Sequence, residues 1–408
     1  MRGEKALLFT TLTLAEAREK LRRSMRPWPV EEVGLGDALG RVLAQDLAAK
    51  EDVPGFDRST VDGYAVRAAD TFGASEGLPA ILRLAGEVCM GSPPEKGLTH
   101  GEAWRISTGG MLPEGADAVV MVEYTEELDE ETVAIYRPVA PGENVVRRGD
   151  DVQAGRVILP AGRRLRPADV GLLATCGWDR VPVFRKPRIG VIGTGDEIVE
   201  VGQVPGPGQV RDVNTWSLAA AVTAAGGEPV RYGVVRDRLP EIKEMLARAL
   251  EECDGVCLAG GSSVGVRDLT LEAIEDLPGT KVLFHGLAVR PGKPTLGAVV
   301  NGKPVVGLPG HPVSALVVFH FLFRPLLEPE KENPLPLRAR LTRSLSSAPG
   351  REDFVPAELG VEEGVTIARP ILGKSGLIAW LARAQALIHL PLDAEGAAAG
   401  DWVDVFLV

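Results

Sequence analysis

Glycine stands beside anion-meeting groups at several points in the second half of the chain. In Gly193-Thr194-Gly195-Asp196-Glu197 a hydroxyl and two carboxylates share a turn, and Gly260-Gly261-Ser262-Ser263-Val264-Gly265 presents backbone N–H groups and two hydroxyls ahead of a helix start. Both suit a phosphate oxygen, because converging N–H dipoles carry positive partial charge. Each is equally readable as a tight strand-to-helix turn that needs glycine for its backbone alone. Neither has the spacing of a Walker A or dinucleotide fingerprint. Arg290-Pro291-Gly292-Lys293-Pro294 puts two cations on a stiff frame, which fits a phosphate clamp or a plain polar hairpin. Gly307-Leu308-Pro309-Gly310-His311-Pro312-Val313-Ser314 then leads into an apolar helix, its prolines and Ser314 also readable as a helix stop and cap.

The first half carries three further strings. Phe56-Asp57-Arg58-Ser59-Thr60-Val61-Asp62-Gly63-Tyr64-Ala65 and Ser107-Thr108-Gly109-Gly110-Met111-Leu112-Pro113 set acidic and hydroxyl side chains beside glycine. Turn capping is the commoner use of Asp in such places. Arg147-Arg148-Gly149-Asp150-Asp151-Val152 combines two cations with two carboxylates. Paired carboxylates repel, and a bound Mg²⁺ would relieve the repulsion; solvated surface charge is the plain alternative.

These strings need elements to position them, and 408 residues exceed one ordinary core. At about 150 residues per domain, two to four domains are expected. Thr13-Leu14-Ala15-Glu16 is a capping box opening an amphipathic helix with Leu14, Ala17, Leu21 and Met25 on one face. A second short helical pattern is expected around Gly36 to Gln45. From Asp52 to about Ala140, β-like runs (Ile81 to Leu84, Ala118 to Val122, Thr132 to Tyr136) are punctuated by Gly and Pro. Residues 141–182 look connective, with a Pro-led helix start at Arg166-Pro167-Ala168-Asp169. From Pro187 to about Glu328 strands and helices alternate, with Asn214 as a candidate cap and Ile242, Met245, Leu246, Ala249, Leu250 and Cys253 on one helical face. Strand after helix after strand predicts right-handed βαβ units in a mostly parallel sheet, whose ligands bind at the carboxyl ends of the strands. The last stretch alternates in short runs, such as Ala386 to Leu390 and Trp402 to Val408, and is expected to be a small β barrel.

Composition narrows the partners. Lys+Arg 45 against Asp+Glu 56 leaves a net charge of −11, which argues against nucleic acid or an anionic membrane. An anionic substrate would therefore need a local basic pocket. Cys89, Cys176, Cys253 and Cys257 are too scattered for a disulfide framework and read as reduced thiols of a cytoplasmic protein. Cys253 and Cys257 as half of a zinc site lack the other half. No apolar run approaches the roughly 20 residues that span a bilayer. Arg2 and Lys5 before Ala6 to Leu14 sketch a signal peptide, but the capped helix fits those residues better.

Taken in order, VPGFDRSTVDGYAVR (53–67), ISTGGMLPEGADAVVMVE (106–123), RRGDDVQAG (147–155), GVIGTGDEI (190–198), VVRD (234–237), AGGSSVGVRD (259–268), RPGKPTLG (290–297), GLPGHPVSA (307–315) and GKSGLIAWLARAQALIHLP (373–391) cover nearly the whole chain. The sequence resembles the molybdopterin molybdenumtransferase family, the MoeA and gephyrin E-domain group. The resemblance implies an enzyme that inserts molybdate into adenylylated molybdopterin and releases AMP in a Mg²⁺-dependent step. The implied fold has a doubly wound, mostly parallel α/β domain of molybdopterin-binding type (183–328). With it go a β-rich domain (51–140), a linker domain split between 1–50 and 141–182, and a C-terminal β barrel (329–408). A homodimer is implied, its active site shared between the α/β domain of one subunit and the β-rich domain of the other, with the molybdopterin adenylyltransferase as a further partner.

By match to the family strings, the implied catalytic residues are Asp62, Thr108, Asp151, Glu197, Asp237 and Asp268, with Glu197, Asp237 and Asp268 as Mg²⁺ ligands. Gly260, Gly261, Ser262, Ser263, Gly265, Arg290, Lys293, Pro309 and Pro312 would bind the pterin phosphate or the oxyanion. The chain departs from the family at His311, where many members carry Asn, and at Arg290 (Lys), Ser262 (Val), Arg58 (Asn) and Arg238 (a second Asp). Two alternatives are a non-catalytic scaffold of the same fold and an adenylyltransferase. The discriminator against the second is the additional β-rich domain with Asp62 and Thr108.

Overall fold

A computed structural model describes residues 11–260, 269–328 and 335–408. The chain divides into two units, residues 32–183 and residues 1–31 with 184–408. The larger unit is built on a six-stranded sheet in the order Glu228–Val235, Arg188–Thr194, Gly255–Ala259, Lys303–Leu308, Leu296–Val300, Thr280–His285. The first four strands are parallel, and Leu296–Val300 runs against both its neighbours. The central strands read as unbroken apolar runs because both faces are covered.

Alternate side chains go to opposite faces. Val191, Cys257 and Ala259 pack with helix Asn214–Ala224 and the N-terminal helix Leu14–Ser24, whereas Ile192, Val256 and Leu258 pack with helices Leu239–Glu252 and Leu269–Glu275. The chain passes from Arg188–Thr194 to its neighbour on one side and then crosses to Gly255–Ala259 on the other. The topological switch point therefore lies between these two strands, at their carboxyl ends.

The Thr13–Glu16 capping box forms as the sequence predicts, with Glu16 N–H donating to Thr13 Oγ1 and Thr13 N–H to Glu16 Oε2. Its helix packs on the α/β layer through Leu14, Ala17 and Leu21. The pattern around Gly36 to Gln45 does not make an α-helix. Only a single 3₁₀ turn, Leu35–Asp37, forms, and Leu43 and Leu47 pack instead under helix Pro167–Thr175 with Leu159, Leu165 and Leu173. Asn214 is not a helix cap but the first residue of its helix. Asp212 Oδ1 accepts from Thr215 N–H in the capping role, which frees the Asn214 side chain.

The barrel is a closed ring of five strands, Glu352–Glu362, Val365–Pro370, Leu337–Leu341, Trp402–Leu407 and Ala386–Leu390, returning to Glu352–Glu362. Closure leaves no free edge in the ring, and Leu341, Ala357, Ile388 and Val405 fill its core. Strand Val289–Arg290 adds alongside Glu352 and Asp353.

In the smaller unit a six-stranded sheet runs Ala118–Met121, Gly63–Val66, Glu102–Ile106, Ala80–Glu87, Thr132–Ile135, Thr125–Asp129. Tyr64 and Val66 face one apolar cluster and Ala65 the other. Among the described residues no helix is long and apolar enough to cross a membrane.

Candidate functional site

The carboxyl ends of the parallel strands gather the chemistry of the larger unit. Strand Arg188–Thr194 ends in Gly195-Asp196-Glu197, Glu228–Val235 in Asp237, Gly255–Ala259 in Gly260, and Lys303–Leu308 in Pro309-Gly310-His311. Lys293 joins the same edge because Leu296–Val300 starts there, opposite Gly307. Gly261, Ser262, Ser263, Gly265 and Asp268 lie outside the described residues.

Two backbone approaches make this edge dense. Gly260 has φ +122°, and a Cβ on it would stand 2.3 Å from the carbonyl oxygen of Thr194. A Cβ on Gly310 would come to 3.7 Å from Gly260 Cα, so the two loops touch. Asn214, freed from capping, donates from Nδ2 to the Gly310 carbonyl at 2.8 Å and braces that loop from below.

Three carboxylates converge beside Thr194. Asp237 N–H points to Asp196 Oδ1 at 3.4 Å, and Glu197 folds back over Gly195. Asp237 Oδ1 is buried without a hydrogen-bond partner among the described residues, as is Thr194 Oγ1. Burial pushes the Asp237 carboxyl above its usual range, and the charges of Asp196 and Glu197 push the same way against the neighbouring Thr194 hydroxyl. A hard cation is the natural relief for such a group. The described side chains include no cluster of three or more metal-binding groups set around one point. An ion held by one or two carboxylates plus phosphate oxygens and water fits the donors present, because that is how Mg²⁺ is commonly bound.

Cations occupy the other end of the edge. A cavity of about 650 Å³ is lined by Arg290, Lys293, Pro309, His311, Arg351 and Ser375 among others. The Lys293 loop is held by its own backbone, with Leu287 N–H and Thr295 N–H both donating to the Lys293 carbonyl at 2.9 Å and Thr295 Oγ1 donating to Gly292 O at 2.6 Å. Lys293 itself is exposed. Arg290 differs from the expectation of a free clamp residue. It ends the strand that joins the barrel, and its Nη1 stands 3.6 Å from Asp353 Oδ2. Pro312 opens helix Pro312–Val318, with His311 rather than Ser314 in the capping position.

In the smaller unit Asp62 and Thr108 do come together. Asp62 precedes Gly63–Val66 and Thr108 follows Glu102–Ile106, and these strands pair with Gly63 opposite Ile106. Thr108 N–H and Oγ1–H both donate to Asp62 Oδ1, at 2.7 and 3.1 Å. Gly63 permits this, since a Cβ there would stand 1.9 Å from Val120 O. The Arg147-to-Asp151 string forms a turn in which Asp150 accepts from Arg147 N–H and Arg148 pairs with Asp52 at 2.7 Å. Asp151 is exposed beside it, its N–H donating to the Val53 carbonyl.

Reasoning from the sequence left out Asp196, Asn214, Arg351, Lys374 and Ser375 as site residues. The string containing Lys374 and Ser375 carries the family resemblance, and Asp196 sits inside a named turn. Nothing local marks Arg351, which reaches the cavity only because the barrel strand is docked there.

Known families match most of the chain. Residues 12–177 match the family described as MoeA N-terminal region (domain I and II), 190–329 the probable molybdopterin binding domain, and 338–408 the MoeA C-terminal region (domain IV). The molybdopterin molybdenumtransferase of Bacillus subtilis is 36% identical over 98% of this chain and 94% of its own. A putative molybdopterin biosynthesis protein of Methanocaldococcus jannaschii is 36% identical over 93% and 92%. A crystal structure of the molybdopterin biosynthesis MoeA protein from Pyrococcus horikoshii OT3 superposes with a TM-score of 0.84, at 35% identity over 98% of this chain and 100% of that one. The matches at 12–177 and 338–408 extend well beyond the α/β domain that an adenylyltransferase would share. The chain belongs to the MoeA family of molybdopterin molybdenumtransferases, enzymes of molybdenum-cofactor biosynthesis.

Proposed function

We propose that this chain inserts molybdate into adenylylated molybdopterin and releases AMP in a Mg²⁺-dependent step. The observation that carries the reading is the division of one sheet edge into an acidic end at Asp196, Glu197 and Asp237 and a cationic end at Lys293 and Arg351. The cationic cavity holds the molybdate dianion: Lys293 gives a charge-assisted hydrogen bond, and Arg290 and Arg351, which both share their charge with Asp353, add to the positive field. The acidic end holds Mg²⁺ through Asp237 with Glu197 or Asp196, and Asp268 by resemblance. When bound, the ion supplies charge neutralisation for the phosphate being cleaved. The carboxylates also orient the attacking water. By resemblance, the glycine-rich string that follows Gly260 would meet phosphate.

The same reading takes the chain as a two-fold homodimer in the cytoplasm, divided into the four domains expected from the sequence. Asp62 and Thr108 of one subunit then complete the site of the other. At limiting molybdate, where each variant alone turns over poorly, mixing Asp62→Ala with Lys293→Ala is expected to restore activity through mixed dimers that carry one intact site. No recovery after subunit exchange would rule out a shared site. The direct test of function is purified protein with adenylylated molybdopterin, Mg²⁺ and molybdate, scored for AMP and cofactor. AMP release independent of both ions would overturn the reading.

Asp237→Asn separates function from stability. A carboxyl whose folded pKa is raised above the unfolded value costs stability once ionised, a cost absent at low pH and growing as pH rises. The apo variant is therefore expected to be more resistant to urea than wild type at pH 7, the difference closing as pH falls toward about 4. Mg²⁺-dependent AMP release is expected to fall by about a hundredfold or more. A less stable variant at pH 7 would show that Asp237 is structural.

A further inference from the structure

His311 sits where two cavities meet. It lines both the cavity of about 650 Å³ that holds Lys293 and Arg351 and one of about 640 Å³ on the barrel side, which holds Lys374, Asp353 and Trp380. Its Nδ1 lies 2.9 Å from Ser375 Oγ, and the Ser375 carbonyl accepts from Val313 N–H at 3.1 Å, so the barrel loop fixes the ring. Among the described residues Nε2 has no protein hydrogen bond. A hydroxyl can donate to neutral Nδ1 or accept from protonated Nδ1–H, so this contact survives a change of charge on the ring. In both states Nε2–H is a donor.

We propose that His311 binds the oxyanion through Nε2 and takes up a proton as the anion enters, which links oxyanion affinity in this chain to pH. This rests on the reading of the cationic cavity as the molybdate site. The charged groups among the described lining residues are Arg290, Lys293, Arg351 and Lys374 against the single carboxylate of Asp353. Asp353 is spent on Arg351 at 3.0 Å and Arg290 at 3.6 Å. A dianion held beside Nε2 favours the charged ring and draws the proton in. An Asn at this position donates a hydrogen bond but cannot gain charge, so the substitution that sets this chain apart from many relatives has a thermodynamic signature.

The probe is molybdate alone, titrated calorimetrically into the full chain at pH 7 in two buffers of different ionisation enthalpy, and repeated at pH 6.5 and 8. Wild type is expected to take up a fraction of a proton and to bind about three- to tenfold more weakly at pH 8 than at 6.5. His311→Asn keeps a favourable helix-capping residue, so it is expected to fold, to bind molybdate, and to lose both the proton uptake and the pH dependence. Equal proton uptake in the two proteins, or binding by wild type with none, overturns this inference and leaves the molybdate site standing. Failure of wild type to bind molybdate at any of these pH values overturns both.

Discussion

Gly260→Ala is expected to cost about 2–4 kcal/mol of stability and to abolish AMP release. The added Cβ would stand 2.3 Å from Thr194 O and 2.6 Å from Thr194 Oγ1, at a φ of +122° that L-residues rarely adopt. Thr194 cannot yield, because its strand is buried on both faces and paired on both sides within the sheet. The loop must move instead, losing the 3.2 Å hydrogen bond from Gly260 N–H to Leu308 O and opening the switch point where substrate is proposed to bind. Gly310→Ala is the control from the facing loop, since its Cβ meets Gly260 Cα at 3.7 Å, an ordinary contact. It is expected to change stability by less than about 1 kcal/mol. Urea midpoints of the two variants check both numbers, and similar losses at the two positions would show that the close approach at Gly260 is not what the fold depends on.

Lys293→Ala is expected to lower molybdate affinity about ten- to a hundredfold, through loss of a charge-assisted contact worth roughly 1.5–3 kcal/mol. Thermal stability should move little. The loop is secured by Leu287 N–H and Thr295 N–H on the Lys293 carbonyl and by Thr295 Oγ1 on Gly292 O, none of which involves the lysine side chain. Calorimetry at two ionic strengths discriminates a clamp from a solvated surface charge. For a surface charge, the change would stay within about twofold and vanish in salt.

The class of each module is legible in the residues, because its signals are local periodicities. Apolar runs such as Ile189 to Ile192 and Gly255 to Ala259, joined by helical stripes, demand a parallel sheet covered on both sides. The capping box at Thr13 was also legible, from spacing. Periodicity failed where long-range packing overrides it. The stretch from Gly36 to Gln45 has helical spacing, but Leu43 and Leu47 are taken up by residues more than a hundred positions away, around Leu159 to Leu173.

Which residues share a site follows from long-range packing. Asn214 carries the signature of a helix cap, yet Asp212 satisfies the helix and Asn214 braces Gly310. Arg290 and Lys293 look equivalent in sequence, but the barrel strand spends part of Arg290 on Asp353 and brings Arg351, Lys374 and Ser375 to His311. Local pattern encodes where an element begins and which face it buries. Which charges meet across elements depends on strand order and docking, and a chain carries that information only as the sum of weak contacts that closes the barrel beside the sheet edge.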